Sequence, residues 1–217
     1  MNRRLCLLVW IGAWLIGPAF AETAAVEGRV VLEPMPQPPV SAMYRTRTRA
    51  PILEPDPPRA VVYLERSDGV YPPHPAREVV VVSQRGYQFR PAVAAVPLGG
   101  QVSFPNRDDE FHNVFSYSPA KRFDLGRYRK DEESPLVTFD EPGVVRVYCE
   151  IHKHMRNLLL VLETPWYTGT DTDGRYRLEG VPPGSYTLRA FLPSERTLSV
   201  PVTLRAGETL TVDLGEP

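Results

Sequence analysis

The chain has 217 residues, 42% hydrophobic and 24% charged, with 24 prolines and two cysteines. That apolar fraction supports a packed core and excludes wholesale disorder. A net charge of -1 gives no global electrostatic reason to expect nucleic acid as a partner. Two cysteines exclude both a disulfide-rich scaffold and a four-cysteine zinc ribbon.

Residues 1–21 read as an export signal. Arg3 and Arg4 give a positive start, an apolar run extends from Leu5 to Ile16, and Ala19-Phe20-Ala21 is a small-x-small cleavage site. The run is shorter than the roughly 20 apolar residues a spanning helix needs. The expectation is therefore cleavage after Ala21, a periplasmic location and no membrane span in the mature chain. Cleavage removes Cys6 and leaves one cysteine, Cys149. A single thiol in an oxidising compartment has no internal disulfide partner, so it must be buried, paired with another chain, or ligated.

In chain order the readable elements are strands. Val26–Leu32 is a short one. Glu33 to Pro58 then carries eight prolines, which exclude a helix or a central strand and indicate a loop of polyproline character. Its Arg45-Thr-Arg-Thr-Arg49 reads as a solvated loop. Ala60–Glu65 is a second strand, and 67–77 is another proline-rich turn in which His74 is expected to face solvent. From Glu78 come short β-rich pieces: Val79–Val82, Gln88-Phe89, Gln101–Phe104, Asn113–Ser116, Val144–Cys149 and Leu158–Leu162. Tyr176–Leu178, Tyr186–Phe191, Ser199–Leu204 and Thr209–Leu214 complete the series. Such spacing predicts an all-β protein of sandwich type. Ala120 to Glu133 is the one polar excursion, with room for a single helical turn. Its cluster Lys121, Arg122, Arg127, Arg129 and Lys130 is read as a solvated loop balanced by Asp131, Glu132 and Glu133, in preference to a surface for an acidic redox partner.

The chemistry concentrates in Val144-Val-Arg-Val-Tyr-Cys149-Glu-Ile-His152-Lys-His-Met155. Strand alternation puts Val145, Val147 and Cys149 on one face and Arg146 on the other. Cys149 thus ends a buried strand, with His152 three residues later and Met155 three beyond that. His112 lies upstream in Phe111-His112-Asn113-Val114. A thiolate, two imidazoles and a thioether are the donors of a trigonal His₂Cys copper site with a weak axial methionine. His154 alternates away from His152 and is expected to be an exposed neighbour. Glu150 is turned away from Cys149 by the strand direction.

With Pro97-Leu-Gly-Gly-Gln-Val-Ser-Phe-Pro-Asn106, His112-Asn-Val and Pro142-Gly-Val-Val-Arg-Val-Tyr-Cys149-x-x-His152-x-x-Met155, the chain resembles the cupredoxin family of plastocyanin, pseudoazurin and amicyanin. The two-residue gap between His152 and Met155 is most similar to amicyanin and departs from the four-residue gap of plastocyanin. More narrowly, the chain resembles periplasmic plastocyanin-like proteins labelled as methylamine-utilisation proteins. The resemblance implies a Greek-key cupredoxin sandwich over 78–163 and one type 1 copper ion. It implies His112, Cys149 and His152 as strong ligands, Met155 as axial ligand, and a backbone N–H of Asn113 donating to the Cys149 sulfur.

Thr170-Asp-Thr-Asp-Gly174 through Pro183-Gly184-Ser-Tyr-Thr-Leu resembles a carboxypeptidase regulatory-like, transthyretin-like sandwich, with turn signals at Asp173-Gly174 and Pro183-Gly184. Such modules begin with strands like Gly28–Val31 and Ala60–Leu64, which here precede the copper-type segment. The expectation is a discontinuous second sandwich. Residues 26–65 would join the 166–217 portion, specifically 166–214, because about 50 C-terminal residues make few strands for an independent core.

The function this implies is single-electron carriage between periplasmic redox proteins. No enzymatic role is expected, since the chain shows no Ser/His/Asp arrangement, no phosphate-cradling glycine loop and no second histidine cluster. The alternatives are a copper-binding or copper-delivery protein without redox turnover, and a structural β-sandwich binding module.

Overall fold

The computed structural model describes residues 22–36, 40, 51–73 and 79–216. The leader with Cys6, the Arg45–Arg49 stretch and His74 lie outside these residues. No helix occurs among the described residues, so none is long and apolar enough to cross a membrane.

The strands fall into two sandwiches. The first uses β1 (Ala24–Arg29) and β2 (Val61–Arg66), then β13 (Tyr167–Gly169), β14 (Arg175–Val181), β15 (Gly184–Phe191), β16 (Thr197–Leu204) and β17 (Thr209–Thr211). The second lies between them in sequence. It contains β3 (Val80–Val81), β4 (Ser83–Gln84), β5 (Phe89–Arg90), β6 (Val93–Pro97), β7 (Gly100–Ser103) and β8 (His112–Ser118). It continues with β9 (Lys121–Tyr128), β10 (Val137–Phe139), β11 (Gly143–Tyr148) and β12 (Arg156–Leu162).

In the flanking sandwich, both early strands are central. One sheet runs β14-β1-β17 and the other β13-β2-β15-β16. Val26 sits opposite Leu178 on β14, and Leu64 opposite Leu188 on β15. The sequence shows why these segments are strands: along β15 the side chains of Tyr186, Leu188 and Ala190 are buried at every second position, the period of a half-buried strand. They meet Val26, Val62, Leu64, Tyr176 and Leu178 in one apolar core. The Asp173-Gly174 turn needs glycine. Gly174 has φ +82°, and a Cβ there would stand 2.1 Å from the Val30 carbonyl oxygen.

The inserted sandwich packs a five-stranded sheet, β6-β12-β11-β8-β9, against a three-stranded one, β10-β7-β3. Val145, Val147, Val114, Val96 and Leu159 from the first share one core with Val102 and Phe139 from the second and with Phe104 just past β7. A third apolar cluster joins the two modules. Val61, Tyr63 and Phe191 of the flanking sandwich pack on Val93, Leu158, Leu160 and Leu162. At its edge Arg146 Nε donates to Glu195 Oε1 at 3.0 Å. The outer face of β6 and β12 is thus occupied by the flanking sandwich, while their inner face belongs to the inserted core.

Two readings of the sequence need correction. The polar excursion holds no helical turn. Residues 121–128 form β9, hydrogen-bonded to β8 in the register Ser116↔Phe123 and Ser118↔Lys121. Its alternation is hidden because one face carries Lys121, Phe123 and Leu125 half-buried and the other is charged. The basic cluster is balanced by other acids than those expected: Lys121 pairs with Asp140 at 2.8 Å, Arg127 with Glu150 at 2.5 Å and Lys130 with Asp109 at 3.5 Å. The Arg129 guanidinium lies 4.3 Å from the Phe111 ring centroid. Exposed pairs of this kind contribute little to stability.

Candidate metal centre

Four chain segments build the site at one end of the inserted sandwich. β8 starts at His112, β11 delivers Cys149 just past its last residue, and the loop 149–155 carries His152 and Met155 into β12. The loop is tight because the Met155 N–H donates to the His152 carbonyl at 2.9 Å. Strand alternation sets the direction of the thiol: Val145, Val147 and Cys149 are all buried on the inner face. The fourth segment, residues 85–88, is a turn closed by the Arg85 N–H to the Gln88 carbonyl at 2.9 Å.

These elements bring the donor atoms of His112, Cys149 and His152 within 4.8 Å of one another. The Nδ1 atoms of the two histidines are 3.0 Å apart, and Cys149 Sγ is 3.9 Å from His152 Nδ1. All three residues are buried, with His152 the most accessible at 6%. Met155 is fully enclosed in the same apolar cluster as Cys149. A soft thiolate beside two imidazoles suits a copper or zinc ion. Donor separations of 3.0 and 3.9 Å fall within what one such ion spans with bonds of about 2.0–2.3 Å.

The electrostatics favour a ready thiolate. Burial alone pushes the Cys149 thiol up. Hydrogen bonds from His112 and His152, and from the backbone amides of Asn113 and His152, outweigh it and bring the pKa down to about 6. Burial also opposes charge on His112, but the carboxylate of Asp108 and the Cys149 thiolate overcome it and raise its pKa. Asn113 braces the neighbourhood further: its Oδ1 accepts the Glu150 N–H at 2.8 Å and its Nδ2 donates to Asp124 at 3.0 Å.

The pH behaviour of the metal-free protein follows from the sign of that shift. An acid whose folded pKa is depressed from about 9 to about 6 adds stability that is fully present above the unfolded pKa. That contribution is lost as pH falls through the folded value. Thiolate absorbance in the ultraviolet should therefore titrate with a midpoint near 6 in the native protein, and the melting temperature should fall across the same range. A midpoint near 9 would show that the hydrogen bonds at sulfur do not form.

His154 is a correction. It was expected to be exposed, yet it is only 2% accessible, with its ring centroid 6.2 Å from that of His152. The period-2 rule does not extend past the end of β11, because the chain turns at 153–154 and folds the ring inward against the turn at Tyr87. Burial, and then the charge of His152, hold its pKa below the usual histidine range, against a hydrogen bond to the Tyr87 backbone. Glu150 faces outward and pairs with Arg127.

Two contributors went unread in the sequence. Asp108 is buried beside His112, with its Oδ2 2.9 Å from His112 Nε2. Tyr87 sets its ring edge-on to both histidines, at centroid distances of 5.6 Å to His112 and 5.0 Å to His152. An aspartate four residues before His112 was the available signal for the first. Tyr87 had none, since it reaches the site only through a turn with φ +59°.

Residues 157–215 match the family described as carboxypeptidase regulatory-like domain. Among solved structures the chain is similar to a copper-containing nitrite reductase from Thermus scotoductus SA-01, at 26% identity and TM-score 0.38. That match covers 41% of this chain and 23% of the reductase, so the chain spans under a quarter of that protein. It is also similar to a reduced Cu(I) form of an amicyanin variant, at 24% identity and TM-score 0.36, covering 40% of this chain and 85% of the other. Amicyanin from Paracoccus versutus aligns at 23% identity and TM-score 0.36 over 40% and 84% of the two chains. No curated protein matches the chain.

Proposed function

We propose that this chain is an exported type 1 copper protein that carries one electron at a time between periplasmic redox proteins and catalyses no reaction of its own. One observation carries the reading: a buried thiolate and two buried imidazoles, drawn from two strands and a tight loop, point their donor atoms at one another. His112, Cys149 and His152 would be the strong ligands and Met155 the axial one. When bound, copper supplies the one-electron Cu(II)/Cu(I) couple.

The chain's own residues do the rest. The amides of Asn113 and His152 donate to sulfur and spread its charge. Tyr87 and the apolar cluster keep water from the donors. Anchoring on β8, β11 and β12 keeps the ligand positions fixed when the charge at the site changes, which keeps reorganisation small. Export is read from the leader, with cleavage after Ala21. The donor and acceptor are protein partners of one-electron type.

The test is an optical and EPR spectrum of the mature protein with one equivalent of Cu(II). The expected result is an intense blue thiolate-to-copper charge-transfer band with the narrow copper hyperfine splitting of a thiolate site. A tight but colourless complex would replace this reading with copper delivery, and absence of copper binding would leave a structural sandwich module.

A further inference from the structure

We propose that Asp108 is a positioning residue that fixes His112 and biases the site toward the oxidised form of its metal; this rests on the copper reading above. The Asp108 carboxylate is 8% exposed and makes three hydrogen bonds. It accepts the Gly86 N–H at 2.7 Å and the Tyr87 N–H at 2.9 Å, and it lies 2.9 Å from His112 Nε2. Its own N–H donates to Asn106 Oδ1 at 2.9 Å, and Asn106 in turn donates to the Tyr128 carbonyl at 2.9 Å. The carboxylate is therefore held from both sides.

Two consequences follow from elementary chemistry. An ionised carboxylate only accepts, so His112 Nε2 carries a proton, and Nδ1, which faces His152 Nδ1 at 3.0 Å, is the ring atom left to give its lone pair to a metal. A full negative charge behind the ring also makes that lone pair a stronger donor than a neutral carbonyl would. Burial keeps water from damping the effect. A stronger anionic field stabilises the doubly charged ion more than the singly charged one. The same carboxylate pins the turn that carries Tyr87, so one group sets the donor strength of His112 and closes the site.

Asp108→Asn tests this, because it keeps the shape and a carbonyl acceptor and removes the charge. In the folded variant, Cu(II) affinity should fall 10–100-fold, the range typical of groups behind a metal-bound histidine. Cu(I) affinity should fall less. The reduction potential should then rise, by about 59 mV for each tenfold change in the ratio of the two affinities. A folded Asp108→Asn protein with wild-type potential overturns the proposal, even if both affinities fall together, since a purely structural role moves neither the ratio nor the potential.

Should the variant not fold, ¹H–¹⁵N spectra of the wild-type protein decide. The His112 Nε2–H must be present and protected from exchange in both the metal-free and Cu(I) states, and an unprotonated Nε2 overturns the proposal. The metal-free spectrum bears on the Asp108–His112 bond whether or not copper gives a blue signal. Absence of a blue signal in wild type thus counts against the copper reading, and an unprotonated Nε2 against the Asp108–His112 bond.

Discussion

Cys149→Ser should abolish the blue band and the electron-carrying activity while leaving both sandwiches folded. The side chain is 2% exposed, with amides of Asn113 and His152 directed at its sulfur. Serine fits the same space and can accept the same hydrogen bonds, so the transition of the metal-free protein should shift by no more than about 1–2 kcal/mol. The chemistry, by contrast, cannot survive. A hydroxyl stays protonated where the thiol titrates at about 6, and an alcohol offers no charge-transfer transition of thiolate type. Cu(II) affinity should drop by more than the 10–100-fold typical of outer groups, since a ligand itself is lost. Optical titration and thermal melts on the same samples separate the two effects. A variant that retains the blue colour would remove Cys149 from the ligand set.

The second large effect concerns stability. Leu64→Ala should cost about 2–5 kcal/mol, the range for truncating a fully buried leucine. Leu64 is 0% exposed on β2, between β13 and β15, and packs among Val62, Leu188 and Tyr186. The same logic predicts that a fragment starting at residue 157 will not fold, although the family match covers 157–215. Such a fragment lacks β1 and β2, the middle strands of both of its sheets. Edge strands without their centre expose unpaired amides and half a core. Urea unfolding measures the first prediction and far-ultraviolet circular dichroism of the fragment the second. A cooperatively folding fragment would show that the C-terminal strands carry a complete core of their own.

Much of this fold was readable in advance, for identifiable reasons. Strands with a buried and an exposed face announce themselves by alternation, as in Val145, Val147 and Cys149, or Tyr186 and Leu188. The cysteine–histidine–methionine spacing was visible because all three lie on one short loop. Other strands escaped. β6 (Val93–Pro97) runs parallel beside β12 and ends in proline, which blurs its pattern. β10 and β13 have three residues each, too few for any period to show. At the site, spacing could nominate His112 but not the group behind it. Asp108 acts through contacts with Gly86 and Tyr87, 22 and 21 positions away, which only the folded chain brings together. His154 was misjudged for the related reason that a turn resets the inside–outside alternation.

Pairing Ala24 with Val181 has a consequence for the order of events as the protein is made. The inserted sandwich, with its strands between residues 80 and 162, can close once its own stretch of chain is free. The flanking sandwich cannot, because its central strands must wait for partners synthesised more than a hundred residues later. Long-range closure of this kind is slow, and early strands left without partners are prone to aggregate. The apolar patch of Leu158, Leu160, Leu162 and Val93 on the inserted sandwich offers Val61 and Tyr63 a surface to rest on in the interval. The joint between the modules is thereby also a template, on which the second half of the molecule is assembled around the first.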